Sequence, residues 1–243
     1  MNDLSPSRAE HAVRAEKQRG ILVWDAPVRV FHWLMVLAFA GAYLSAESER
    51  WRLLHVTLGY TMIGLVGFRI VWGLIGTRYS RFTQFVRGPA AVRRYFGAML
   101  RGRPEHYTGH NPAGALAIMA LLGLALAVTA SGWALYNDIG GDLLEEVHEA
   151  IANGMLAVVG VHVAAVLLSS RLHHENLVGA MITGRKPGRP EEGIRRAWRS
   201  VAAIMLVAVL GFWWSQWQGT PAAGVSGRPA VTAVAGHDGH GRH

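Results

Sequence analysis

Apolar residues along this chain come in long blocks rather than in short periodic stripes. Five blocks dominate, roughly Val30–Ala46, Leu53–Ile75, Pro112–Tyr136, Leu144–Ser169 and Ala197–Trp217. Each is close to the ~20 residues that span a hydrocarbon core of about 30 Å at the rise of an α-helix. The pattern predicts an all-α transmembrane bundle of five helices. Pro112 opens the third block, where a proline without an N–H fits the first turn of a helix. Between the second and third blocks, Val92, Tyr95, Phe96, Met99 and Leu100 fall on one helical face and Arg93, Arg94 and Arg101 on the other. That pattern predicts a helix lying in the membrane interface, its arginines near anionic headgroups. A plain amphipathic connector reads the same way.

Composition sharpens this. Of 243 residues 51% are hydrophobic, mean hydropathy is +0.21, and 24 Lys+Arg against 16 Asp+Glu give a formal net charge of +8. In a soluble protein that excess would suggest nucleic acid as a partner. Here it collects in alternate loops. The N-terminal tail carries Arg8, Arg14, Lys17, Arg19 and Arg29. The second loop carries Arg78, Arg81, Arg87, Arg93, Arg94, Arg101 and Arg103, and the fourth carries Arg171, Arg185, Lys186, Arg189, Arg195, Arg196 and Arg199. The first loop is short and mixed, with Glu47, Glu49, Arg50 and Arg52, whereas the third has Asp138, Asp142, Glu145 and Glu146 and no base. The positive-inside rule then places the N-terminus inside and the C-terminus outside, and nucleic acid drops out. No cleavable signal peptide is expected, since the first 20 residues are polar and the first apolar block is long enough to stay in the membrane. The chain has no cysteine, which excludes disulfides, thiolate-bound clusters and covalent haem attachment through C-x-x-C-H.

An ionisable residue inside a span is costly and is a functional candidate by default. Four histidines qualify: His32 in the first block, His55 in the second, His148 and His162 in the fourth. His148 and His162 are separated by 14 residues, about 40° from a whole number of turns and ~21 Å of rise. One helix thus presents two imidazoles to one side at two depths. With the predicted topology, His32 matches the depth of His162 and His55 that of His148. Facing neutral imidazoles in a bundle suit axial ligation of haem iron, and iron saturated in this way favours electron transfer over oxygen binding. Gly59 and Ala152, one turn from His55 and His148, leave room for a flat macrocycle. A proton relay or metal transporter built on the same histidines is the rival reading.

Several stretches resemble the bacterial cytochrome b561 family, which includes the cytochrome b subunits of nickel–iron hydrogenases and is similar in plan to the membrane subunit of formate dehydrogenase. They are W-D-A-P-V-R-V-F-H-W (Trp24–Trp33), H-V-T-L-G-Y (His55–Tyr60), F-R-I-V-W-G (Phe68–Gly73), R-F-T-Q-F-V-R-G-P (Arg81–Pro89), G-H-N-P-A-G (Gly109–Gly114) and the run from Glu146 through S-S-R-L-H-H-E-N-L to M-I-T-G-R-K. The resemblance covers roughly Trp24 to Lys186. It implies four core helices holding two non-covalent b haems, with His32, His55, His148 and His162 as axial ligands. It also implies quinone as a substrate and a periplasmic partner, a c-type cytochrome or an oxidoreductase subunit, for a protein of the bacterial inner membrane. The fifth span is shared with the hydrogenase-type subunits rather than with the minimal four-helix members.

Around these ligands, Arg69, Arg29 and Arg171 are candidate counter-ions for haem propionates at the inner pair, and Arg50 and Arg52 at the outer pair. Inside-positive signalling and snorkelling explain each of them equally well. The formate dehydrogenase resemblance implies a quinone site at His110 and Asn111. His173, His174 and Glu175 are candidates for handling quinol protons, or ordinary helix-end residues. No side chain looks like a catalyst of bond chemistry. The expected organisation is a cytoplasmic tail (1–23), a dihaem four-helix domain (24–186), a linker with the fifth helix (187–218) and a periplasmic tail (219–243). That tail is read as solvated, and its His237, His240 and His243 lack the preorganised geometry of a tight metal site. The function expected is electron transfer across the membrane between the quinone pool and a periplasmic redox protein. The rivals are an anchor subunit of a larger oxidoreductase, a transporter, and an enzyme that turns over a small molecule at the outer haem.

Overall fold

The computed structural model describes residues 20–86, 88–101, 107–172 and 174–218, with the side chains of Phe96, Met99 and Leu100 left aside. Five helices among these residues are long and apolar enough to cross a membrane. They are α1 (Ala26–Ser45), α2 (Arg52–Ile75), α5 (Pro112–Tyr136), α6 (Gly141–Leu172) and α8 (Arg199–Gln218). Shorter elements are the single turn α3 (Phe82–Phe85), the surface helix α4 (Pro89–Leu100), α7 (Leu177–Thr183) and two strands, β1 (Gly20–Leu22) and β2 (Arg185–Pro187).

Local chemistry sets the helix starts. Asp25 caps α1, its carboxylate accepting the Val28 amide at 2.9 Å, so the helix begins four residues before the apolar block suggests. Asn111 does the same for α5, accepting the Gly114 amide at 2.7 Å just ahead of Pro112. At α8 the start falls two residues later than the block suggests, because Trp198 adopts a left-handed conformation (φ 52°).

Helix α1 packs along α2, α2 along α5, and α5 along α6, while α8 lies against α1. The backbone of α6 packs far less closely on α1 and α2 than on α5. Side chains fill that gap at mid-depth, where Phe39, Leu58, Met62, Val66 and Val128 meet Met155, with Ile151 and Val159 beside them. In lipid such contacts stabilise through dispersion rather than through removal of apolar surface from water. Above and below this layer lie the two histidine pairs.

The arginine-rich end of the bundle carries a cap that the apolar blocks do not foretell. Strands β1 and β2 pair antiparallel, Ile21 opposite Lys186. Gly184 accepts the amides of Val23 and Trp24, Leu22 accepts that of Ile194 and Ala197 that of Ala26, binding residues 184–197 to the root of α1. Tyr95 of α4 is buried, and its hydroxyl accepts a bond from the Asn111 amide at 2.9 Å. The surface helix is thereby pinned to α5 as well as lying across the bundle end.

Candidate functional site

At the acidic end, the imidazoles of His55 on α2 and His148 on α6 stand with ring centroids 6.2 Å apart and planes 73° apart. Each Nδ1 is tied off. His55 Nδ1 lies 2.8 Å from the Ala42 carbonyl, which only accepts, so this nitrogen carries the proton. His148 Nδ1 lies 2.9 Å from the Ser131 hydroxyl, whose own proton is donated to the Val128 carbonyl at 3.1 Å, so the histidine is again the donor. Both rings therefore expose a bare Nε2 lone pair, the form in which histidine binds metals, with the orientation fixed by its other nitrogen. Gly132 makes room for this, since a Cβ there would come within 2.9 Å of the His148 ring. Next to His55, Gly59 has no atom within 4 Å of where its Cβ would stand.

This donor set fits a haem. Two metal–nitrogen bonds of about 2.0–2.1 Å each, plus two half-rings, span roughly 6 Å. No group of three or more His, Cys, Asp or Glu suited to a bare ion occurs among the described residues. A two-histidine site suits a metal that brings its own equatorial nitrogens.

The basic end holds the second pair. His32 on α1 and His162 on α6 lie within each other's electrostatic reach. His32 stands edge-on to Trp33 (5.0 Å), and its Nδ1 is buried without a partner. Arg69, 3% exposed, places its guanidinium over the rings of Phe82 (4.8 Å) and Phe85 (6.0 Å), with Nη1 buried and unpaired. The nearest compensating charge is Asp25, whose carboxylate also accepts Trp72 Nε1 (3.1 Å) and the Thr77 hydroxyl (2.6 Å). His110 is wedged against Trp24 (4.4 Å) and Phe85 (4.8 Å), its Nδ1 likewise buried and unpaired. Burial above all, then the charges of Arg69, Lys186 and His162, push its pKa down to about 3, so the ring is neutral at physiological pH. A cavity of about 190 Å³ opens beside it, walled by Tyr79, Gln84, Phe85, Tyr107 and Glu192.

A family model of prokaryotic cytochrome b561 matches residues 23–184, which take in all four histidines. The chain belongs to the prokaryotic cytochrome b561 family. It is accordingly a multi-pass b-type cytochrome of the bacterial inner membrane, and haem b is the cofactor the family implies. Similar proteins include the probable Ni/Fe-hydrogenase B-type cytochrome subunits of Azotobacter vinelandii and Bradyrhizobium diazoefficiens. The first is 26% identical over 70% of this chain and 90% of its own length; the second is 24% identical over 77% and 96%. The probable Ni/Fe-hydrogenase 1 B-type cytochrome subunit of Escherichia coli K12 is 29% identical over 48% of this chain and 60% of its own. No solved structure matches the chain significantly.

In this b561 cytochrome the secondary candidates divide. Arg69 and His110 sit beside the basic-end pair with free polar atoms. Asn111 is committed to its cap and to Tyr95. Arg29 donates to the Thr183 carbonyl at 2.6 Å, while its Nε stays buried and unpaired. Glu175 pairs with buried Lys186 at 2.8 Å, and His174 holds a left-handed turn (φ 52°). At the acidic end, Arg50 lies over the Trp51 ring at 5.8 Å, and Arg52 makes a long exposed pair with Glu49. Arg171 is exposed. His173, the N-terminal residues through 19 and the tail histidines lie outside the described residues. Sequence reasoning missed Ser131, Gly132 and the Ala42 carbonyl. A lone small residue or a backbone oxygen inside an apolar block leaves no mark in a sequence.

Proposed function

We propose that this cytochrome holds two b haems, one between His55 and His148 and one between His32 and His162, and passes electrons across the inner membrane. When bound, the haems supply one-electron redox chemistry. The protein supplies rigid neutral ligands, spacing and counter-charge. The acidic-end geometry carries the reading: two imidazoles with Nδ1 protons tied to fixed acceptors and Nε2 left free. The ~21 Å rise between His148 and His162 on one helix sets two sites at opposite depths. Residues 24–186 form the dihaem unit, 187–218 add the fifth helix, and 219–243 a tail. The arginine-rich end faces the cytoplasm, in keeping with the loop charges.

At the basic end, Arg69 and Arg29 are placed to neutralise propionate carboxylates, their unpaired buried nitrogens being the support for this role. The quinone site is the cavity beside His110, where a neutral ring offers a hydrogen bond to a quinone carbonyl, with Asn111 positioning it through the start of α5. Burial raises the Tyr79 pKa and keeps its phenol protonated, and that proton is donated to the Glu192 carbonyl at 2.8 Å. The redox partner docks at the acidic end. The relatives' printed names favour an oxidoreductase subunit of hydrogenase type for that partner, and a c-type cytochrome is the second choice.

The test is a reduced-minus-oxidised spectrum of the purified protein with pyridine haemochrome quantification. Wild type should carry two b haems per chain, and His148→Ala and His162→Ala should each lose one. A colourless protein, or variants with unchanged haem content, would overturn the proposal in favour of transport.

A further inference from the structure

We propose that a depression at the basic end of the bundle, between the end of α2 and the start of α8, binds the phosphate headgroup of an anionic phospholipid. The depression, about 330 Å³, is lined by Arg78, Arg195, Arg196, Trp198, Thr77 and Gly193 among others. Its depth is set by the spans: Arg78 comes three residues after α2 ends at Ile75, and Trp198 directly precedes Arg199, where α8 begins. Both lie at the membrane boundary, where phosphate groups are found.

Three observations point to an anion. Among the described residues, Arg78, Arg195 and Arg196 make no ion pair, and the acids next in the chain, Glu191 and Glu192, are taken by Arg189 at 3.6 and 3.0 Å. Arg78 instead leans over the Tyr79 ring at 5.4 Å. The start of α8 adds amide donors. Ala202 is the first of its residues to bond back, to the Trp198 carbonyl, and the amides before it are the ones a helix leaves without an internal acceptor.

Two further observations point to a lipid rather than a free ion. Trp198 is 44% exposed, with one edge packed on Trp72 at 5.8 Å, the interfacial placing that tryptophan favours. It holds a left-handed backbone (φ 52°), strained for a bulky side chain, at the turn joining Arg195 and Arg196 to α8. At the same depth, Leu74 and Ile75 end α2 and are exposed at 65% and 73%, offering acyl chains an apolar surface.

The holoprotein in phosphatidylcholine nanodiscs, titrated with phosphatidylglycerol and read by native mass spectrometry, tests this. Saturable retention of phosphatidylglycerol is expected, weakened at least tenfold in R78Q/R195Q/R196Q and partly in Arg196→Gln, a single change chosen to leave the fold intact. The control Arg185→Gln, an exposed arginine at the same end but outside the depression, should bind as wild type. Equal loss in the control, retention in the triple variant, or displacement of the lipid by millimolar inorganic phosphate would each overturn the proposal, the last identifying a site for free anions. The haem spectrum of each variant reports folding separately.

Discussion

The ring of His148 lies 2.9 Å from where a Cβ on Gly132 would sit, and its Nδ1 proton is held by Ser131 one residue earlier. Position and tautomer of one candidate ligand thus depend on two adjacent small residues of α5. Gly132→Val is expected to push the imidazole off its axis, removing about one haem of two while leaving the basic-end site intact. Pyridine haemochrome on monodisperse protein checks it, and two haems retained would mean that His148 is not held as described. Partial loss of metal affinity, about 10–100-fold, is the usual scale for a change in the residues that orient a ligand. Ser131→Ala belongs at the mild end, because the Val128 carbonyl remains nearby. The four candidate histidines stand out in the sequence because a polar ring in a bilayer is costly, and the structure brings His55 and His148 face to face. Their holders do not stand out. Serine and glycine are common in membrane helices for packing reasons, and only the meeting of α5 with α6 distinguishes these two.

At the scale of elements, five spans could be read from block length alone, since the bilayer imposes that length on any helix crossing it. Their starts could not, because Asp25, Asn111 and the left-handed Trp198 act through local geometry that hydropathy averages away. The ribbon of β1 and β2 was equally hidden. Gly-Ile-Leu and Arg-Lys-Pro are too short to show a period, and they pair across the whole cytochrome core. Helix α8 lies against α1 through Leu34 and Met205, and a side-chain hydrogen bond runs from its Trp213 Nε1 to the Thr61 hydroxyl of α2 at 2.9 Å. The Thr61 proton is already donated to the Thr57 carbonyl, so its oxygen is free to accept. Thr61→Val keeps the shape and deletes the acceptor, and should destabilise the protein by about 0.6 kcal/mol, the average for such bonds in lipid, and by no more than ~1.7. Equilibrium unfolding in mixed micelles measures it, with haem content unchanged. A larger loss accompanied by haem release would mean that α8 supports the haem core as well as flanking it.

The whole molecule has two chemically different ends, and its proposed work depends on that difference. Among the described residues the acidic end exposes Glu47, Glu49, Asp138, Asp142 and Glu145 above the His55–His148 pair, against Arg50 and Arg52. Such a rim attracts a partner with a positive face and acts mainly on the rate of encounter. Exposed charges interact over about 30 Å at 0.01 M salt but only ~8 Å at 0.15 M, so a diffusing partner such as a c-type cytochrome should feel the change strongly. Stopped-flow transfer to a basic soluble cytochrome is expected to slow by on the order of tenfold across that range. Asp142→Asn with Glu145→Gln should flatten the dependence while leaving both haems in place. A partner bound permanently, as a hydrogenase-type subunit would be, removes the encounter step. It would co-purify, and its transfer rate would not change with salt. Salt-dependent transfer with no co-purifying chain therefore identifies a mobile carrier, and the reverse pair of results identifies a resident subunit. Either partner would, on the proposed scheme, exchange electrons through the same histidine pair at the acidic end, so the experiment decides the partner without bearing on the proposed ligands.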